Sequence, residues 1–200
     1  PAMYVRPDRL FCDYSFDGVA LREENFIARN DVACSIITSD QPVTLEFSGQ
    51  SFYLAGTTQS TTATCTLDAA DNAVHVVDGG VNLVEPVRDD IRPGVMMYDG
   101  MSTILSASRP LENYTNTTES TGQQLYSFTV PCDSNGVSLV WAMNDDAATA
   151  ISEAQAVLAA PQAELQAKTD SMNDLLNNQV PYFRCSDEDI VAVYYYLWAL

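Results

Sequence analysis

Two aromatic side chains and a basic one follow a proline near the C-terminal end of this 200-residue sequence. Tyr182 and Phe183 offer ring faces that suit the apolar C–H face of a sugar, and Arg184 offers N–H donors for hydroxyl or carboxylate groups. The same residue types also serve a structural role, in which the two rings fill a junction between domains and Arg184 pairs with a neighbouring acid. The sequence leaves both interpretations open.

The apolar segment after these residues predicts a helix. Ser186 and Asp189 have the spacing of a capping box, which marks a helix start. Residues 190–200 are apolar or aromatic on every face, a pattern typical of a helix that is buried all round. Successive helical side chains point about 100° apart, so they cannot all face one ligand. We expect Tyr195 or Trp198 to reach a pocket, and most of the group to lie in a core: Tyr194, Tyr195, Tyr196 and Trp198.

Acidic residues that suit catalysis or calcium binding have a simpler local explanation. Asp187, Glu188 and Asp189 fall in a first helical turn, where carboxylates stabilise the free backbone N–H groups. Other acids fall at predicted turns, which Asp favours for local hydrogen bonds, and no segment has the calcium-loop spacing D-x-[DN]-x-[DN]-G. These turn acids are Asp89, Asp90, Asp99 and Asp133.

Histidine and cysteine usage predicts no metal site. His75 is the single histidine and no C-x-x-C pair occurs, so the sequence has no zinc-ligand pattern. No G-x-S-x-G elbow accompanies His75, which we expect on a strand, facing solvent or a partner. An odd number of cysteines leaves at least one free thiol if the others pair. The pairing is left open among Cys12, Cys34, Cys65, Cys132 and Cys185.

The charge balance restricts the partners. The formal net charge is −18, from 27 acidic and 9 basic residues, which argues against binding to nucleic acid or to an anionic membrane. No apolar run approaches the roughly 18 residues of a membrane-spanning helix. The charge fits simple solubility, a neutral or cationic ligand, or a salty or extracellular setting.

Two glycosylation sequons favour an exported protein. Asn113 and Asn116 begin the sequons N-Y-T and N-T-T in a polar stretch that predicts an exposed loop. Residues 1–3 are typical of a segment left by protein engineering, and we set them aside as foreign. The expected location is secreted or periplasmic.

The pattern from residue 14 to residue 143 is one of short strands and turns without intervening helices, which predicts an antiparallel β-sandwich. TATCTL and AVHVV flank a turn at residues 68–72 and predict a hairpin. Asp-Gly steps at residues 78–80 and 99–100 predict further breaks between strands. QQLYSFTV and VSLVWAM predict a second strand pair across residues 133–136, with Val137, Leu139, Trp141 and Met143 on one face.

Helices follow the strands. Asp145 or Asp146 is expected to cap an Ala-rich helix over residues 147–160, and Pro161 to begin a second helix. The domain prediction is a β-sandwich over residues 4–144, a helical linker over 145–179, and the first helix of a larger helical unit over 180–200.

The segments GVSLVWAMN and MNDLLNNQVPYFRCSDEDIVAVYYYLWAL, joined by Ala-rich helices, carry a resemblance. They resemble the region of six-hairpin glycosidases in which an N-terminal sandwich passes into the (α/α)6 barrel, particularly in glycoside hydrolase family 63 and its mannosylglycerate-hydrolase-like relatives. The resemblance covers the architecture of the whole chain, and its motif-like part is residues 172–200.

The resemblance implies an inverting hydrolase of an α-linked glycoside, with two carboxylates on the barrel beyond residue 200 and no catalytic residue in this segment. It implies that substrate contacts come from Tyr182, Phe183, Arg184 and Trp198. The implied partners are a carbohydrate substrate and the rest of the barrel. No redox cofactor is implied, and calcium is implied only as a structural ion.

Two alternatives remain at this point. One is a non-catalytic carbohydrate-binding or adhesion sandwich with a helical tail, which the acidic surface, aromatic content and sequons fit equally well. The other is a self-assembling subunit in which another chain buries the last helix.

Overall fold

A computed structural model describes residues 2–29, 32–51, 63–82, 96–120 and 122–199. In these residues a series of strands precedes the helices. The strands are β1 (Ala2–Val5), β2 (Leu10–Phe16), β3 (Val19–Ile27), β4 (Ala33–Ser39), β5 (Val43–Gln50), β6 (Thr64–Asp68), β7 (Ala73–Asn82), β8 (Met96–Ala107), β9 (Glu112–Thr118), β10 (Gln124–Cys132) and β11 (Val137–Asn144). The helices are α1 (Ala147–Ala159), α2 (Pro161–Asp174), a π-helical turn (Leu175–Gln179) and α3 (Glu188–Ala199).

The strands form two antiparallel sheets, which confirms the predicted sandwich followed by helices. The large sheet has the order β1-β2-β3-β4-β11-β8-β7-β6, and the small sheet has the order β5-β10-β9. Among the described strands, the small sheet makes its main contacts with β4 and β6 of the large sheet, so the β1–β3 end of the large sheet extends beyond it.

The sandwich core lies between the two sheets. Along β10 every second residue is buried, as expected for a strand with one face on a core. Phe128 and Val130 on that face are almost fully buried, and Phe128 stacks on Phe47 with ring centroids 5.5 Å apart. Leu139 and Val74 of the large sheet belong to the same cluster.

The outer face of the large sheet is covered by α1, so β11 buries both of its faces. Leu139 points into the sandwich, whereas Val140 and Ala142 pack with Ala154 of α1. The helix begins where predicted, because the Asp146 side chain accepts a hydrogen bond from Thr149 N at 2.9 Å.

The predicted pairing of QQLYSFTV with VSLVWAM is wrong. β10 pairs with β5 and β9 in the small sheet, whereas β11 pairs with β4 and β8 in the large sheet. The turn between them therefore carries the chain from one sheet to the other. Arg109 stabilises this turn with two hydrogen bonds to Asp133, of 2.6 and 3.1 Å. The Asp-Ser-Asn-Gly sequence predicts a chain reversal, but it does not predict which strands β10 and β11 will pair with.

Two predicted breaks lie inside strands. The Asp-Gly-Gly step at residues 78–80 is part of β7, and the Asp-Gly step at residues 99–100 is part of β8. The β7–β8 register shifts between Val77 and Gly79, and Gly100 adopts a positive φ of 76°. A bulge and a left-handed glycine absorb the irregularity without ending either strand.

Three other predictions have clear outcomes. The β6–β7 hairpin across residues 68–72 is confirmed. The two sequons lie in β9, an edge strand of the small sheet, so the predicted loop is wrong although most of this strand is exposed. Ala2 and Met3, which the sequence led us to set aside, pair with Asp13 and Cys12 in the large sheet.

Helix α2 begins at Pro161, as predicted, and is anchored to the large sheet by ionic contacts. Thr169 Oγ1 lies 2.7 Å from Asp8 Oδ2 and accepts a hydrogen bond from Arg9 Nη2 at 2.8 Å. Glu164, which is buried, pairs with Arg29. No helix in the described part of the chain is long and apolar enough to cross a membrane.

Candidate functional site

The cap of α3 differs from the predicted one. Asp187 Oδ1 accepts hydrogen bonds from Asp189 N at 3.0 Å and Ile190 N at 3.3 Å. The predicted Ser186 capping box is therefore wrong by one residue, because Asp187 is as good an N-cap as serine and lies one position closer to the helix. The expectation that this acidic cluster caps a helix holds for Asp187.

An aromatic cluster joins the segment to α3. The Phe183 ring lies 4.7 Å from the Tyr194 ring, and the Tyr194 ring lies 6.4 Å from the Trp198 ring, measured between centroids. The Tyr195 hydroxyl bonds to the Phe183 backbone, and the Tyr194 hydroxyl donates to Pro181 O at 2.9 Å. The structure thus brings together Phe183 and Trp198, two of the four predicted substrate-contact residues.

The other two predicted contact residues make no ring contact and no side-chain hydrogen bond with this cluster in the described part of the chain. Tyr182 is 82% exposed, and Arg184 is exposed with no ion pair among the described residues. Trp198 is 48% exposed, so its indole remains accessible beside the cluster.

Helix α3 leaves an apolar surface exposed in this chain. Ile190, Val193 and Leu197 are all exposed and lie on one side at spacings of three and four residues. Tyr196 is also exposed. The sequence predicts a helix buried all round, and the described residues bury only part of it.

The candidate acids have local partners where the structure describes them. Asp133 bonds to Arg109, which holds the pKa of that carboxyl below its ordinary value, with a further contribution from Asn135 N. Asp89 and Asp90 lie outside the described residues, as does the side chain of Asp99. In the described ranges no three His, Cys, Asp or Glu side chains are grouped closely enough to hold a metal ion.

His75 and the cysteines also have definite positions. His75 lies in β7 between Thr66 and Ile104, half-buried, and its Nε2 is buried without a hydrogen-bond partner among the described residues. All five cysteines are free thiols. Burial raises the pKa of Cys34 to about 12, so this thiol is protonated and unreactive at neutral pH.

Two surface cavities in the described part of the chain lie on the large sheet, away from residues 180–199. One, of about 440 Å³, lies beside Tyr14 and Arg22, and the other, of about 350 Å³, lies beside Trp141 and Asn25. Sequence reasoning missed both, because their walls come from strands that are distant in sequence. A lone tryptophan on a strand whose face is otherwise aliphatic is the one signal that points to the second cavity.

Comparison with known proteins gives a likeness of fold. No family model and no curated protein matches the sequence. Among solved structures, the chain is similar to one described as a kojibiose phosphorylase from the human microbiome, with a TM-score of 0.53 and 9% sequence identity. The match covers 95% of this chain and 26% of that one. The chain therefore spans about a quarter of the length of this structural neighbour, and the likeness includes the helices as well as the sandwich.

Proposed function

We propose that the chain is the N-terminal β-sandwich and linker region of a carbohydrate-active enzyme whose catalytic domain is an (α/α)6 barrel. The observation that carries the proposal is the extent of the fold likeness, which covers 95% of this chain against a structure described as a kojibiose phosphorylase. A sandwich alone occurs with many functions. A sandwich followed by two linker helices and a third, apolar helix is a more restrictive arrangement.

The proposed division is a sandwich at residues 4–144, a linker at 145–179 and the first barrel helix from residue 180 onward. The apolar side of α3, at Ile190, Val193 and Leu197, then packs against further barrel helices. In this arrangement the sandwich supports the barrel, and the segment before α3 borders the substrate pocket.

Tyr182, Phe183, Arg184 and Trp198 are the proposed substrate contacts. Phe183 is fixed against α3 by its ring contact with Tyr194 and its backbone bonds to Tyr195, so it orients the segment. Tyr182 and Arg184 are free to meet a sugar, the first through its ring face and the second through its N–H donors. Trp198 offers a second accessible ring.

The proposed reaction is inverting hydrolysis of an α-linked glycoside, by a carboxylic acid and a carboxylate base on the barrel that stand roughly 6.5–9.5 Å apart. No residue of this chain is assigned to catalysis, no redox cofactor is required, and calcium has at most a structural role. The second candidate is phosphorolysis, in which inorganic phosphate replaces water, and the description of the structural neighbour favours it. Export from the cell is proposed from the sequons at Asn113 and Asn116.

The test is an activity assay on the natural polypeptide that contains these residues. Kojibiose, maltose and nigerose are supplied with and without inorganic phosphate, and released glucose and glucose 1-phosphate are measured. Hydrolysis predicts glucose in both conditions, whereas phosphorolysis predicts glucose 1-phosphate only with phosphate. The proposal is contradicted if the polypeptide cleaves neither these disaccharides nor larger α-linked oligosaccharides.

A matched pair of variants tests the assigned contacts. Tyr182→Ala is expected to raise KM about tenfold with little change in kcat, because a ring that only contacts the substrate provides uniform binding. Tyr4→Ala removes another exposed tyrosine, from β1, and is expected to leave KM unchanged. Equal effects of the two substitutions count against a substrate contact at Tyr182.

A further inference from the structure

The large sheet has an inner face that the small sheet covers only in part. Side chains at alternate positions along β1–β4 and β11 share this face, as the cross-strand register shows. This face carries exposed apolar residues on four strands. These are Met3, Val5, Phe16, Ile27 and Met143.

A cavity of about 350 Å³ lies on this face, where β3, β4 and β11 are neighbours. Its floor comes from β4, where the small residues Ala33 and Ser35 point inward. Trp141 lies opposite Ala33 on one side, and Ile27 lies opposite Ala33 on the other. Two small side chains between larger ones therefore create a depression beside an indole ring, within the ~300–1,000 Å³ range of small-molecule sites.

The polar groups of the cavity are only partly used within the protein. Ser35 Oγ donates to Asn25 Oδ1, which leaves the N–H groups of the Asn25 amide without a partner among the described residues. Glu23 accepts from the Tyr14 hydroxyl at 2.9 Å through Oε2, and its Oε1 has no partner in the described ranges. The Trp141 indole N–H is likewise unpaired there. The cavity thus combines two donors and one acceptor with an aromatic side chain.

We propose that this cavity is a non-catalytic binding site for a neutral oligosaccharide. A sugar residue presents an apolar C–H face to an aromatic ring and hydroxyl groups that donate and accept at its edges, which matches Trp141, Asn25 and Glu23. The Glu23 carboxylate and a net charge of −18 disfavour acidic sugars and phosphorylated ligands. The site is distinct from the proposed contacts at residues 182–198, and it stands whether or not the natural enzyme cleaves glycosides.

The two tryptophans of the sequence provide a selective probe. Trp198→Phe leaves Trp141 as the only indole, and Trp141→Phe leaves only Trp198. Maltotriose, cellotriose and chitotriose are titrated into each variant, with trigalacturonate as the acidic control. We expect at least one neutral trisaccharide to change the fluorescence of the Trp198→Phe variant with a Kd of about 1 mM or below. A response of the Trp141→Phe variant would report Trp198, a proposed substrate contact, and is scored separately. Circular dichroism checks that both variants are folded.

Substitutions of the polar groups distinguish sugar recognition from nonspecific binding to the apolar face. In the Trp198→Phe background, Asn25→Ala and Glu23→Ala are each expected to weaken binding about tenfold, because each removes a hydrogen bond that the ligand cannot replace. Met143→Ala changes an exposed apolar residue of the same face outside the cavity and is expected to leave Kd within about twofold.

Three results would overturn the proposal. One is the absence of any response to all three neutral trisaccharides, and another is a response that persists only when Trp198 is retained. The third is a Kd that does not change with Asn25→Ala and Glu23→Ala. None of these results bears on whether the natural polypeptide cleaves glycosides, because the readout is binding to this chain.

Discussion

At the scale of single residues, Thr169 links the linker helices to the sandwich. Its hydroxyl lies between Asp8 Oδ2 and Arg9 Nη2, and Arg9 also donates to Glu24 Oε2 at 2.8 Å. Asp8 is buried, which opposes its ionisation, but the hydrogen bonds from Thr169 and Arg9 hold its pKa below the ordinary value. The contact joins residues 161 positions apart in sequence and fixes α2 on the sheet.

Thr169→Val tests this link, because it keeps the shape of the side chain and removes the hydroxyl. We expect a loss of about 1–2 kcal/mol in the free energy of unfolding, since a partly buried hydrogen bond to charged groups is lost. Urea denaturation followed by circular dichroism measures it. Gln166→Ala, on the same helix, removes a side chain that bonds only to exposed Asp170, and should change stability by less than about 0.5 kcal/mol. Equal effects of the two substitutions would contradict the role of Thr169.

Asp133 gives a prediction for pH. Its bonds to Arg109 hold its pKa in the folded state below the unfolded value of about 3.9. Its contribution is therefore complete only at pH values well above the unfolded-state pKa, and it is lost as the pH falls through the lower folded-state pKa. Wild type is expected to be more stable than Asp133→Asn at pH 7, and the difference to shrink below about pH 4. Thermal melts at pH 7 and below about pH 4 measure the stability difference between wild type and variant, with Asp145→Asn as the control. A difference that is constant with pH would contradict this assignment.

The predicted cap of α3 was wrong at the same scale, for a physical reason. Asp187 displaced Ser186 as the cap because two good capping residues were adjacent. The positions of Tyr182, Phe183, Arg184 and Trp198 relative to a substrate remain predictions.

At the scale of elements, strand existence was easier to predict than strand pairing. The hairpin β6–β7 was predictable because a short turn joins two strands that stay in one sheet. β10 and β11 are also joined by a short turn, yet they belong to different sheets. Both have a periodicity of two, and that periodicity carries no information about the partner. The cavity beside Trp141 was not predictable because it depends on the order β3-β4-β11.

Gly49 shows how closely β5 and β10 approach each other in the small sheet. It lies opposite Tyr126 in the β5–β10 register, and a Cβ added at Gly49 would overlap the Tyr126 ring, which is buried. Gly49→Ala is therefore expected to cost about 1–3 kcal/mol of stability through overpacking. Ser48→Ala, at the adjacent exposed position, should change stability little, and guanidinium denaturation of both variants measures the difference. A neutral Gly49→Ala would show that Tyr126 can move aside without cost.

At the scale of the whole molecule, composition and strand pattern were sufficient to predict a sandwich followed by helices. The same information did not predict that, among the described residues, the large sheet has eight strands and the small sheet three, because sheet membership is set by long-range pairing. The likeness to a solved structure covers 95% of this chain and 26% of that structure, and it is a likeness of fold. The exposed apolar side of α3 fits the proposed function, since a barrel would cover it.

The central claim of the proposed function is that these residues form the N-terminal part of a longer, carbohydrate-active polypeptide. The intact mass of the natural protein, purified under denaturing and reducing conditions, tests that claim most directly. The proposal predicts a mass well above the 21.9 kDa of the 200 residues. A mass of 21.9 kDa would contradict it, because the chain would then lack the barrel to which both catalytic carboxylates are assigned.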